Sequence, residues 1–106
     1  SCGINKNINS DPYVGNYNMT IFDVDQIGDI FLELSISKNN NGYESSFNFP
    51  EGEESIEVIS SRVNNGFFEI ESTYQQYELF MELEINKNKL SGTFMGMFDI
   101  EGKRIK

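Results

Sequence analysis

The chain has 106 residues, 38% of them hydrophobic and 13% aromatic, with a formal charge of −9 and an isoelectric point near 4.3. That length holds one domain with a core of its own, and the composition is that of a folded chain. The acidity argues against nucleic acid and against anionic membranes as partners, since both demand a basic surface, and its plainest consequence is solubility.

Histidine and tryptophan are both absent. Without histidine the chain lacks the usual general base near neutral pH, so Ser-His and Cys-His nucleophilic schemes are closed to it. The commonest metal ligand is missing too, and the single cysteine cannot build a zinc site. The expectation is a protein that is not an enzyme and that uses neither a cofactor nor a metal.

Residues 1–12 are polar and rich in Asn, show no strand-like alternation, and end at Pro12. They are expected to form a tether ahead of a domain over 13–106. Cys2, alone and next to the first residue, resembles the lipid-modified cysteine of bacterial lipoproteins. Ser1 suits the small residue before such a cysteine, or a residue added in cloning. The resemblance implies lipidation at Cys2, a place in the bacterial cell envelope, and membrane contact through the lipid anchor only. An unmodified thiol near a ragged terminus is the plainer alternative.

From Gly15 onward one unit repeats: a short run of period-two alternation, then a turn signal. Tyr17, Met19 and Ile21 share one face of the first run, and Leu32, Leu34 and Ile36 share one face of the run over 30–37. Asn39-Asn40-Asn41-Gly42 is a hairpin signal, because Asn and Gly tolerate the positive φ such turns need. The next runs are 43–49, with Tyr43, Phe47 and Phe49 inward, and 55–63, with Ile56 and Val58 inward. Asn64-Asn65-Gly66 closes that pair. Phe68 and Ile70 alternate with Glu69 and Glu71 over 67–73. Over 77–85, Tyr77, Leu79, Met81, Leu83 and Ile85 alternate with Glu78, Phe80, Glu82 and Glu84. Runs over 90–95 and 98–105 complete the chain. About eight short strands with short connections predict an all-β, antiparallel up-and-down meander, enough to close a barrel.

Gly15-Asn16-Tyr17 at the first strand, Gly28 in the first connection, Leu90-Ser91-Gly92-Thr93 late in the chain and a closing Gly102-Lys103-Arg104 stand in an order that resembles the small lipocalin-like, or calycin-type, barrels of bacterial lipoproteins. The likeness runs from Gly15 to Arg104, with Tyr17 where that group carries Trp. It implies a lipocalin-like barrel whose end is closed by Gly15, Tyr17 and Arg104, the arginine packing across the aromatic ring. It also implies a hydrophobic ligand as the partner, and no catalytic residue.

Whether such a barrel holds anything depends on its interior. The inward set is large, which favours a packed core over a sizeable cavity. Tyr43, Ser45, Ser60 and Ser72, with Gly92, fall on the inward parity and mark candidate ligand contacts at a lumen in one end. Two readings follow: a lipid-anchored binding module for a small apolar ligand, or a filled barrel that acts on partner proteins through outward residues such as Phe31, Phe67 and Phe80. Sharper chemistry fits less well. Asp23, Asp25 and Asp29 around Gly28 lack the ligand set of a calcium loop, and Glu51, Glu53 and Glu54 read as solvated charge.

Overall fold

The computed structural model describes residues 11–50, 52 and 55–105. Among them the chain forms eight strands and no helix: β1 (Gly15–Val24), β2 (Gly28–Asn39), β3 (Gly42–Asn48), β4 (Glu57–Asn64), β5 (Phe67–Tyr74), β6 (Tyr77–Asn86), β7 (Lys89–Phe94) and β8 (Phe98–Arg104). All pairings are antiparallel, and the sheet runs β3-β2-β1-β8-β7-β6-β5-β4. Consecutive strands are thus neighbours everywhere except at β3 and β4, and the first strand is zipped to the last. The result is the expected all-β meander, curled into a nearly closed barrel whose seam lies between β3 and β4. The Ser61 hydroxyl lies 2.7 Å from the Ser45 hydroxyl across that seam.

Turn chemistry sets the strand ends. Asn65 and Gly66 between β4 and β5 both have positive φ, 54° and 87°, the conformation a two-residue hairpin loop requires. Alternation then sorts the side chains. Tyr17, Met19, Ile21, Leu32, Leu34, Ile36, Phe68, Ile70, Met81, Leu83, Ile85, Leu90 and Ile100 are the buried core, all on the inward parity of their strands.

Two bulges interrupt that parity. In β1, the register shifts between Ile21 and Val24, with Asp23 at a φ of 56°, and this turns Val24 inward. In β4, the ladder passes from Val58↔Ser72 to Ser60↔Glu71, leaving Ile59 as the extra residue. Ser60 therefore moves to the outer face, where its hydroxyl accepts from the Arg62 guanidinium at 3.3 Å. This corrects its inward assignment. Ser61 takes the inward place and reaches Ser45.

Two glycines explain how the wall curls so tightly. A Cβ on Gly92 would overlap the Glu82 carbonyl oxygen and come within 2.9 Å of the Leu83 Cα. A Cβ on Gly102 would overlap the carbonyl oxygen of Asn18. Both positions face strands whose backbones press against them, so β6, β7, β8 and β1 can bend together only where no side chain intervenes.

Candidate functional site

The barrel has two unlike ends. The chain enters at the end formed by Gly15, the β2–β3, β4–β5 and β6–β7 turns and Arg104. This end is shut. The Tyr13, Tyr43 and Phe68 rings stack there, with centroids 5.3–5.8 Å apart. The Arg104 guanidinium lies 5.0 Å from the Tyr17 ring centroid and donates to the carbonyls of Val14, Pro12 (2.7 Å) and Lys87 (3.1 Å). Tyr17 in turn donates its hydroxyl to the Tyr13 carbonyl at 2.6 Å. Gly15 opens the strand that carries Tyr17, and its own pairing is with Ile36.

Asp11 ties the entering segment to the same end. Its carboxylate accepts from the amides of Tyr13 (2.8 Å) and Val14 (3.1 Å) and from the Tyr43 hydroxyl (2.8 Å), and lies 3.5 Å from the Lys38 ammonium. Burial works to raise its pKa, but the Tyr13 amide, the Tyr43 hydroxyl, the Val14 amide and Lys38 together hold it below the usual carboxylate value. The same environment pushes the Tyr43 phenol up to about 12, first through burial and then through the neighbouring carboxylate. Asp11 and Pro12, assigned to the tether from sequence, are therefore fastened to the barrel. Cys2 lies outside the described residues.

The opposite end is open. A cavity of about 570 Å³ lies there among Ile21, Val24, Ile30 and Leu32 on β1 and β2, Phe49, Pro50, Gly52 and Ile56 on the β3–β4 connection, and Tyr74, Leu79, Met81 and Phe94 on the far wall. Ile27, Asp29 and Phe31 form its rim. The expectation of a packed interior holds for the shut half and fails here. The reason lies between β3 and β4, where Phe49, Pro50, Gly52 and Ile56 belong to neither strand and line one side of the opening. Around the mouth, large apolar side chains reach solvent, among them Ile27 (68% exposed), Phe31 (65%) and Met97 (70%).

The four inward polar candidates do not gather at this cavity. Tyr43 is at the shut end, Ser45 is on the seam and Ser60 is on the outer face. Ser72 is closest: it is 1% exposed, paired in register with the cavity residue Leu79, and its hydroxyl has no hydrogen-bond partner among the described residues. The outward phenylalanines are likewise dispersed. Phe31 sits on β2 at the mouth, whereas Phe67 is at the shut end of β5 and Phe80 pairs with Glu71, on the other side of the barrel. A second, shallower depression of about 330 Å³ on the outer wall is walled largely by Glu82, Glu84, Asp99 and Glu101. No group of three or more acidic or cysteine side chains among the described residues is placed to hold a metal ion.

Sequence reasoning placed Phe49 and Ile56 inward and named Asp29 only in an acidic loop, but it did not see them as parts of a cavity, and it missed Pro50 and Gly52. The nearest signal was the apolar pair Phe49-Pro50 followed by Ile56 in a stretch otherwise full of turn and charge signals. No protein-family model, curated protein or solved structure matches this chain. The fold is compatible with a lipocalin-like barrel, and its geometry alone carries the functional reading.

Proposed function

We propose that this is a non-enzymatic binding module that takes up a small apolar ligand through the open mouth of the barrel, held at a bacterial cell envelope by a lipid on Cys2. The observation that supports the binding reading is the cavity of about 570 Å³, a volume in the usual range for small-molecule sites, with mostly apolar walls and few polar groups. Among the described residues, Asp29 and Tyr74 are the only side chains lining it that carry a polar group, and with no histidine in the chain this is poor equipment for acid–base chemistry. The anchor reading draws on the resemblance of Cys2, ahead of a polar, Asn-rich stretch, to the lipid-modified cysteine of bacterial lipoproteins.

Binding is tested by filling the cavity. Leu79→Trp places a bulky ring among Met81, Phe94 and Tyr74. It should abolish the fluorescence gain of an environment-sensitive apolar dye while leaving the urea midpoint near wild type. The chain has no Trp of its own, so the new indole also reports its surroundings. Dye binding that survives the filled cavity sinks the reading. A second reading, action on a partner protein through the outer surface, draws on the exposed Phe31, Ile59 and Tyr77. It predicts dye binding indifferent to Leu79→Trp and a loss of partner capture in Phe31→Ser.

A further inference from the structure

The two ends of the barrel differ in charge as well as in shape. Among the described residues the cations are Lys38, Arg62, Lys87, Lys89, Lys103 and Arg104. Lys38 flanks the β2–β3 turn, Lys87 and Lys89 the β6–β7 turn, and Lys103 and Arg104 end β8. Arg62 pairs with Glu69, in the half of β5 nearer the shut end. Every one belongs to the shut half. The open half carries acids from four separate elements: Asp23, Asp25 and Asp29 around the β1–β2 turn, Glu57 at the start of β4, Glu78 at the start of β6 and Asp99 at the start of β8. The ion pairs among the described residues engage Asp11, Glu69 and Glu71, and none of these mouth acids.

Among the described residues, Asp29 is the carboxylate that lines the cavity itself. Its Oδ1 accepts the Asp23 amide at 3.0 Å, which ties the side chain to the bulged end of β1 at the rim. A ligand whose tail enters the apolar interior must leave its head beside this carboxylate, within a ring of like charge that no described cation offsets. A carboxylate or phosphate head would meet repulsion there and an ammonium head attraction, with low-dielectric walls strengthening both.

Building on the binding reading above, we propose that the cavity is a site for amphiphilic amines: molecules whose hydrocarbon part lies among Ile21, Leu32, Leu79, Met81 and Phe94 and whose ammonium group meets Asp29. The proposal commits to the head-group charge, and primary and quaternary ammonium heads are two forms of the same chemistry.

The test uses the chain over 1–106 and three twelve-carbon probes: dodecylammonium, dodecanol and dodecanoate, each below its aggregation limit. Affinity is measured by calorimetry and location by amide NMR shifts at Val24, Ile27 and Tyr74, with Tyr43 as the control at the shut end. The expected result is dodecylammonium binding at the mouth on the order of tenfold more tightly than dodecanoate at low salt, with dodecanol between them. Asp29→Asn keeps the acceptor for the Asp23 amide and removes the charge, so it should shrink that preference severalfold. If dodecanoate or dodecanol binds at the mouth as tightly as the amine, or if Asp29→Asn leaves the preference unchanged, the amine assignment is overturned and the apolar site stands. If no probe perturbs the mouth residues, both are overturned.

Discussion

Removing the Arg104 guanidinium should loosen the shut end of the barrel by an amount that the structure bounds. The side chain donates three hydrogen bonds to the carbonyls of Val14, Pro12 and Lys87, and its charge sits over the Tyr17 ring. A charged hydrogen bond contributes roughly 1.5–3 kcal/mol net when buried, and half-exposure brings each of these nearer ~1 kcal/mol. The cation–π contact adds about 1 kcal/mol, and freeing the side chain returns up to ~2 kcal/mol of rotamer entropy. Arg104→Met should therefore cost about 2–3 kcal/mol, which moves a urea midpoint down by about 1–2 M for a small domain. Circular dichroism across a urea series reads the midpoint, and the slope should stay constant. Arg104→Lys separates charge from geometry: a point charge cannot reach three carbonyls in different directions while lying flat on a ring, so it should recover less than half of the loss. A midpoint drop of less than about 0.3 M in Arg104→Met, or full recovery by Lys, would refute the view of this residue as a pin between β1, β8 and the β6–β7 turn.

Three further outcomes follow from the wall and the shut end. Gly92→Ala should cost more than about 3 kcal/mol or leave the protein insoluble, because the added methyl meets the backbone of β6 and not a movable side chain; Ser91→Ala, one residue earlier and exposed, is the control and should be near neutral in thermal melts. Asp11 has a pKa lowered by folding, so its contribution is present at neutral pH and is lost as pH falls past the ordinary carboxylate value and through the lower folded one; a plot of unfolding free energy against pH should be shallower in that acid window for Asp11→Asn than for wild type. Arg62→Ala leaves the nearly buried Glu69 carboxylate without its 3.0 Å partner and should cost about 1–2 kcal/mol, with the difference from wild type narrowing at high salt.

Strand positions were legible because two independent signals agreed. Alternation named the faces of β1, β2, β5 and β6, and Asn-Gly pairs named the turns at Gly42 and Gly66, so element ends fell within a few residues of where they lie. The bulges were not legible, and the physical reason is specific. Ile56, just before β4, and Val58 and Ser60 on it keep perfect alternation, and only the partner strand reveals that Ile59 has been skipped in the ladder. One extra residue then exchanged Ser60 for Ser61 on the inner face. The cavity was hidden for a different reason. Counting bulky inward residues measures how much material fills the barrel but not which end receives it. Here Tyr13, Tyr17, Tyr43 and Phe68 are spent on one end, and a non-hairpin connection opens the other. Gly92 and Gly102 could be seen in sequence as motif residues, yet their purpose, backbone against backbone, is visible only in three dimensions.

The seam between β3 and β4 has a consequence for how the chain finds its fold. Cutting the sheet there in mid-sequence divides it into two local meanders, β1–β3 and β4–β8, each of which can form from neighbouring residues. What joins them is the pairing of β1 with β8, the most distant pairing in the chain; the bond from Arg104 to the Val14 carbonyl spans 90 residues. Closing so large a loop carries an ideal-chain entropy cost of about 4 kcal/mol, roughly twice that of a ten-residue hairpin. Contact order alone then makes the edge-to-edge pairing of β1 with β8 the step expected to limit folding. Rewiring the chain so that residues 105 and 11 are joined and the new ends fall between Pro50 and Ser55 would keep every ladder, turn that distant pairing into a local one, and leave the seam where the chain already parts.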